Sequence, residues 1–412
     1  MNPIIDRCAG LDVHQATVMA TVRIPGDAGH RDVITEEFST TTVALLTLRD
    51  WLRAYGVTHV AMESTGVYWK PVYYILEDEF SLLLVNAQHV KRVPGRKTDV
   101  NDSEWLAQLL ECGLLQGSFV PPRPIRDLRD LTRYRKHQIR DRAREVNRLH
   151  RVLEDAGLKL SSVATNVMGS SGRAMLDALL QGTTDAAVLA DLAKGKLRRK
   201  LPALREALQG RFRPHHAALL GQILAKIDFL DEAIELLTVD IDRLVIPFEP
   251  MLTNLDTIPG VDRKSAITMV AETGGDMTRF PTAAHLCSWS AVCPGQNESA
   301  GKRRSGKTRN GNGYLRTALV ESGLAATRAK GTALQARYLR VKRNRGHKKA
   351  VLATGHQILE IAYYVMRDGT AYQELGADYF DRRHRERAIR RHIRQLEQHG
   401  YHVMLVETVT SS

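Results

Sequence analysis

Cysteine is scarce, with four in 412 residues (Cys8, Cys112, Cys287 and Cys293), none in a CxxC pair and none joined to a histidine pair at finger spacing. That argues against a disulfide scaffold or a structural zinc module and fits a reducing cytoplasm. Long apolar runs are missing too. Stretches such as Phe80-Ser-Leu-Leu-Leu-Val85 fall far short of the roughly 18 residues that span a bilayer. The N-terminal MNPIIDRCAGLDVH carries an early acid and no apolar signal core, so a soluble, cytoplasmic protein with no membrane partner is expected. No tandem repeat is visible, and GxxxxGK[ST] is absent, which disfavours a nucleotide P-loop.

Acids are also in deficit, 46 against 59 Lys and Arg, leaving a formal charge of +13. The excess is concentrated: Lys302 to Lys349 holds fifteen bases and one acid, Glu321. Such a tract repels itself unless a polyanion neutralises it, and phosphate backbones are the usual partner. A solvated basic surface or an anionic membrane is the blander reading. Interleaved Gly, Ser and Asn favour contact with nucleic acid. The rest of the composition, 43% hydrophobic and 25% charged, is ordinarily globular, and at roughly 150 residues per domain the length suggests about three domains.

The chain opens with two alternating apolar stretches in residues 5–25, followed by Asp32–Phe38, which together predict three meander strands. A helical pattern over Thr41–Ala54, a buried strand over Val57–Met62 ending at Glu63, a helix near Tyr68–Glu77 and a strand over Ser81–Val85 follow. That order predicts an α/β, ribonuclease-H-like mixed sheet flanked by helices. After Pro121-Pro-Arg-Pro124 come two long helical patterns, about Ile125–Ala156 and His216–Val245, whose apolar stripes recur at threes and fours. This is the coiled-coil or antiparallel-hairpin signature, read as packing or dimerisation. Leu255-Asp-Thr-Ile-Pro-Gly-Val261 resembles a helix-hairpin-helix turn, which presents backbone N–H groups to a phosphate, although an ordinary Pro-Gly connection fits equally. The expected division is 1–124 (catalytic sheet), 125–246 (helical coiled-coil region), 247–345 (mainly helical second domain) and 346–412 (basic helical tail).

Four carboxylates stand out. Asp12 lies in mid-strand among Leu and Val, costly unless paired or metal-bound. Glu63 ends the later strand, and in a ribonuclease-H-like sheet the first and fourth strands are neighbours. Asp99 and Asp102, three apart at the start of a helix, share one face. Gathered together, these acids would repel without a cation. Oxygen ligands match Mg2+ or Mn2+, two of which can activate a nucleophile and stabilise a leaving phosphate oxygen. Read singly, Asp99 and Asp102 are also ordinary helix-start acids.

In the basic tract, Ser299 precedes Ala300 and Gly301, which let a backbone approach closely, and then Lys302, Arg303 and Arg304. A serine hydroxyl needs its proton removed and the developing charge stabilised before it attacks. Lys302, Arg303, Arg304, Lys307, Arg309 and Arg316 are the candidates for neutralising phosphates there. Ser305 is a rival nucleophile, and a phosphate-binding loop without chemistry is the plainer alternative.

GLDVH, MESTGVYW, KTDVNDSEWLAQLL, IPG, SWSAVCPGQNESAGKRRSGK and GNGYLRTALVESG together resemble the transposases of the insertion sequence 110 family. The resemblance implies a RuvC-like domain with a DEDD tetrad on Asp12, Glu63, Asp99 and Asp102, and a transposase domain with its serine on Ser299. It also implies excision and insertion of an element through a circular intermediate and a phosphoserine–DNA link. The implied partners are double-stranded donor and target DNA and a noncoding bridge RNA. Dimers assembling to a tetramer would join one subunit's tetrad to another's serine. The rivals are a RuvC-like junction nuclease without serine chemistry and a non-catalytic nucleic-acid-binding protein.

Overall fold

The computed structural model describes residues 3–64, 66–86, 90, 102–295, 297–299, 302–305 and 308–405. The chain divides into two compact units, Met1–Pro121 and Pro122–Ser412.

The first unit is built on five strands: β1 (Cys8–Val13), β2 (Thr17–Pro25), β3 (Arg31–Ser39), β4 (His59–Glu63) and β5 (Ser81–Val85). Their order is β3-β2-β1-β4-β5. The meander pairs are antiparallel, whereas β1 pairs parallel with β4 and β4 with β5. This is the mixed α/β sheet expected from the alternation of elements. Side chains alternate across it. Leu11, Val13, Val60 and Met62 pack with Leu45, Leu48 and Leu52 of α1 (Thr42–Ala54) and Val72 and Leu76 of α2 (Trp69–Leu76). Cys8 and Ala61 on the opposite face meet Leu110 of α3 (Asp102–Glu111).

Gly10 explains how closely α3 lies on the sheet. A Cβ there would stand 2.1 Å from Ser103 O and 2.5 Å from Ala107 N, so only glycine permits the approach. The helix is tied at both ends: Ser103 Oγ bonds Thr21 Oγ1 at 2.8 Å, and Glu111 accepts from Arg23 Nε at 2.6 Å and pairs with Arg31.

The second unit is helical. α4 (Arg123–Asp155) and α9 (Pro214–Leu244) form an antiparallel hairpin. Arg135 Nε donates to Thr238 Oγ1 at 2.7 Å, Arg142 pairs with Asp231, Lys226 Nζ meets Glu145 Oε1 at 2.7 Å, and Asp155 Oδ2 lies 2.9 Å from His216 Nε2. Numbers rising on α4 thus match numbers falling on α9. At the far end a small core joins Leu149, Leu153, Leu220, Leu224 and Ile227 to α5 (Leu160–Val163), α6 (Ser170–Leu180), α7 (Ala186–Asp191) and α8 (Leu201–Ala207). The apolar stripe expected from Leu219, Ile223, Ile227, Leu230 and Ile241 is buried at Ile227, Leu230 and Ile241, but at the start of α9 it moves by one place: Leu220 and Leu224 are buried and Leu219 is 51% exposed.

At the near end Ile125, Leu128, Ile241 and Val245 enter the main core. It is completed by α10 (Glu249–Asp256), α11 (Arg263–Thr273), α12 (Ala283–Trp289), α13 (Gly313–Ala326), α14 (Ala333–Arg345) and α15 (His347–Asp368). The expectation of a basic tail from 346 therefore needs correcting. Ile358, Leu359, Ala362, Tyr363, Val365 and Met366 of α15 lie in this core, a stripe outweighed in composition by the bases just before it. The Arg-rich helix is α16 (Tyr379–Gln398).

Candidate active site

The strand register organises the sheet acids. β1 and β4 pair Leu11 with Met62, so Asp12 and Glu63 come next, side by side on strands about 4.8 Å apart. Both lie on the face carrying Cys8, Gly10 and Ala61: Cys8 Sγ reaches Ala107 O at 3.5 Å, and Ala61 packs with Leu110. This is the face that α3 covers, and Asp102 is the first residue of that helix. Ser103 lies over Gly10, which puts the helix start toward the Asp12 end of β1. Asp99 lies outside the described residues.

Asp12 is partly shielded, at 22% side-chain exposure, and its Oδ2 stands 3.2 Å from Nε2 of the exposed His14. Glu63 is half-buried and Asp102 exposed. Burial pushes the neighbouring Cys8 thiol up to about 12, with Glu111 adding to the effect. The donor set suits a hard divalent cation, because every candidate ligand atom on the tetrad is a carboxylate oxygen. Asp12 and Glu63 share the sheet face that the start of α3 overlies. Among the described residues, the three ligand-type side chains with atoms all within 4.8 Å are Asp155, His215 and His216, none of them on the sheet.

The histidine cluster has a structural explanation. His216 Nδ1 accepts from Arg213 N at 3.1 Å, which leaves Nε2 to donate to Asp155 at 2.9 Å. Both ring nitrogens of this buried residue are thereby used to fasten the start of α9 to the end of α4.

The serine lies on a small antiparallel hairpin, β6 (Asn297–Ser299) and β7 (Lys302–Ser305), with Ser299 paired to Lys302 and Asn297 to Ser305. Ser299 thus ends its strand at the turn, and Ser305 stands at the base. The side chains of Ser299, Lys302, Arg303, Arg304 and Ser305, and all of Lys307, lie outside the described residues. Arg309 is exposed and donates Nη2 to Ser288 Oγ at 2.8 Å, while Arg316 is half-buried on α13.

The described segments before and after this hairpin, around Ala291 and Gly311–Asn312, are fastened to the helical core by residues that the sequence does not single out. Ala291, buried before β6, has φ 56°, unusual for a residue with a Cβ. Gly311 faces it so closely that an added Cβ would lie 2.4 Å from the Ala291 Cβ. Glu272, 1% exposed, accepts from Arg133 Nε at 2.8 Å and Nη2 at 2.7 Å, and from Asn312 Nδ2 at 2.6 Å. Asn312 in turn caps α13, its Oδ1 accepting from Tyr314 N and Leu315 N. Tyr314 OH bonds His137 Nε2 at 2.7 Å. The one sequence signal was an acid inside the apolar face of α11, legible only once that face is known.

Comparison with known proteins agrees with this architecture. Residues 9–157 match a family model for the DEDD domain of IS110-type elements, described as "Transposase". Residues 252–339 match one described as "Transposase IS116/IS110/IS902 family". A Streptomyces coelicolor protein described as "Insertion element IS110 uncharacterized 43.6 kDa protein" is 35% identical over 130 residues. That alignment spans 31% of this chain and 31% of the relative. With both models matched in order along one chain, this protein belongs to the IS110 transposase family.

Proposed function

We propose that the protein is a DNA recombinase that excises and inserts an insertion sequence. The observation that carries this reading is the β1–β4 register, which sets Asp12 beside Glu63 on the face where α3 begins with Asp102. In this reading Asp12, Glu63, Asp99 and Asp102 hold Mg2+ or Mn2+. When bound, such an ion supplies Lewis-acid activation and neutralises charge on the scissile phosphate.

Ser299 is the nucleophile. Its Oγ gives up its proton and forms a bond to phosphorus as the strand's ester oxygen leaves and takes up a proton, so that the ester energy is conserved in a phosphoserine link. Attack by the incoming strand's hydroxyl then reverses the step and restores the serine. Lys302, Arg303, Arg304, Lys307, Arg309 and Arg316 neutralise the phosphates around it. His14, within 3.2 Å of Asp12, is an additional group able to take or return a proton at that carboxylate.

The family resemblance extends the reading to guidance by a noncoding bridge RNA that pairs with donor and target DNA. It also suggests a tetramer assembled from two dimers, in which the tetrad of one subunit serves the serine of another. Bare apolar positions on the hairpin, Phe229 at 66% and Leu236 at 62% exposure, supply a surface for such assembly.

The test is a trapped strand-exchange reaction on element-end DNA with its flanking RNA and Mg2+. A protease-sensitive protein–DNA adduct should form with the wild type and with Ser305→Ala, and vanish with Ser299→Ala. Asp12→Ala should abolish exchange while retaining DNA binding. Exchange persisting in Ser299→Ala would replace the serine mechanism with water-dependent RuvC-like cleavage, and exchange persisting in Asp12→Ala with EDTA would remove the metal.

A further inference from the structure

A cavity of about 550 Å³ opens in the second unit where the α4–α9 hairpin meets the start of α11 and one side of α13. Nothing in the recombination chemistry above uses it. Its walls combine two characters. Ile139, Ile241 and Ile267 give an apolar surface, while Arg135 and Lys264 bring cations and Asp242 and Glu321 bring carboxylates to the same space.

The cations are not equivalent. Arg133 is neutralised by the buried Glu272, Lys136 by Glu321 at 2.9 Å, and Arg263 by Glu249. Arg135 differs: its Nε donates to the Thr238 hydroxyl at 2.7 Å, and among the described residues no carboxylate lies within 4.0 Å of it. Burial pulls its guanidinium below the ordinary arginine range, with Asp242 partly offsetting that. A half-buried cation in this state is costly unless an anion reaches it. Lys264, likewise without an ion pair among the described residues, stands in the first turn of α11. There the helix dipole favours negative charge, although Asp262 already caps Ser265 N at 2.9 Å.

A second observation is independent of the charges. Ser322 belongs to the cavity wall, is 1% exposed, and its Oγ finds no hydrogen-bond partner among the described residues. Buried hydroxyls are nearly always satisfied, so this one marks an unmet polar group at the edge of the cavity.

We infer that this cavity binds a nucleotide, its phosphate at Arg135 and Lys264 and its base against the isoleucine wall. The volume falls in the range of small-ligand pockets. A bare phosphate would leave most of it empty and the apolar wall wet, whereas a base fills it. In a chain carrying +13, the nearest source is an unpaired nucleotide turned out of bound nucleic acid, as in enzymes that read extrahelical bases. A free nucleotide carries the same chemistry. The inference rests on the reading that this chain handles nucleic acid.

The experiment compares the full-length protein on a paired duplex, on the same duplex with one extrahelical 2-aminopurine nucleotide, and on free dAMP. Paired-duplex affinity tests the nucleic-acid reading alone. Preference for the bulged duplex over the paired one tests the cavity. The wild type should prefer the bulge, with quenched 2-aminopurine emission. Arg135→Gln, Lys264→Gln and the cavity-filling Ala325→Leu should each reduce that preference, by roughly tenfold for a lost charged contact, with paired-duplex affinity held. Ala325 is exposed on the cavity wall, so its replacement keeps the fold. If dAMP alone binds and is lost in the same three variants, the site is a free-nucleotide site and the inference stands. Equal affinity for bulged and paired duplex with no dAMP binding, or a preference unchanged in all three variants, overturns it.

Discussion

Gly10 shows how much a single missing atom decides. Its neighbour Asp12 can join a catalytic group only if α3 comes down onto the sheet, and a Cβ at position 10 would meet Ser103 O at 2.1 Å, which leaves no room for any other residue. Gly10→Ala should therefore destabilise the first unit by about 1–3 kcal/mol, the usual range for overpacking. The urea midpoint of the first transition reads it out, and an unchanged midpoint would mean that α3 sits further from β1. Residue-scale legibility was uneven. Asp12 was readable because an acid amid Leu and Val in mid-strand is costly. Glu272 was not, since on paper it is one acid in a helix, and its burial depends on Arg133 and Asn312, 139 and 40 positions away in sequence.

The α4–α9 hairpin carries a pH dependence that belongs to the element. Lys226, then Arg148, holds Glu145 below the ordinary carboxylate range, and the Glu145 side chain is only 5% exposed. A carboxylate with a depressed folded pKa contributes its stabilisation above the unfolded value, near 4.3, and loses it as pH falls through the folded one. Glu145→Gln should thus cost about 1 kcal/mol at neutral pH, with the difference from wild type vanishing under acid conditions below both values. Denaturant titrations of the two proteins across that range measure it. A difference that stays constant with pH would show that the ion pairs contribute nothing. The hairpin itself was written in its stripes. Only the start of the second stripe was not, because Leu219 and Leu220 are equally apolar and the packing around them decides which is buried.

At the scale of the whole chain, the order of strands and helices was legible because alternation and period differ between them. The parallel β1–β4 pair followed from fold class rather than from any local signal. What composition obscured was α15: fifteen bases over Lys302–Lys349 suggest a surface facing nucleic acid, yet the helix that begins at the last of them lies in the second unit's core. Packing, not charge, sets that boundary.

The most direct test is anomalous scattering from crystals of the full-length protein grown with Mn2+. An anomalous peak should lie on the α3-covered face of the sheet, within ligand distance of Asp12, Glu63 and Asp102, and should disappear in Asp12→Ala. A peak at Asp155 and His215 with none at the sheet, from a preparation whose strand exchange requires Mn2+, would contradict the proposed metal site.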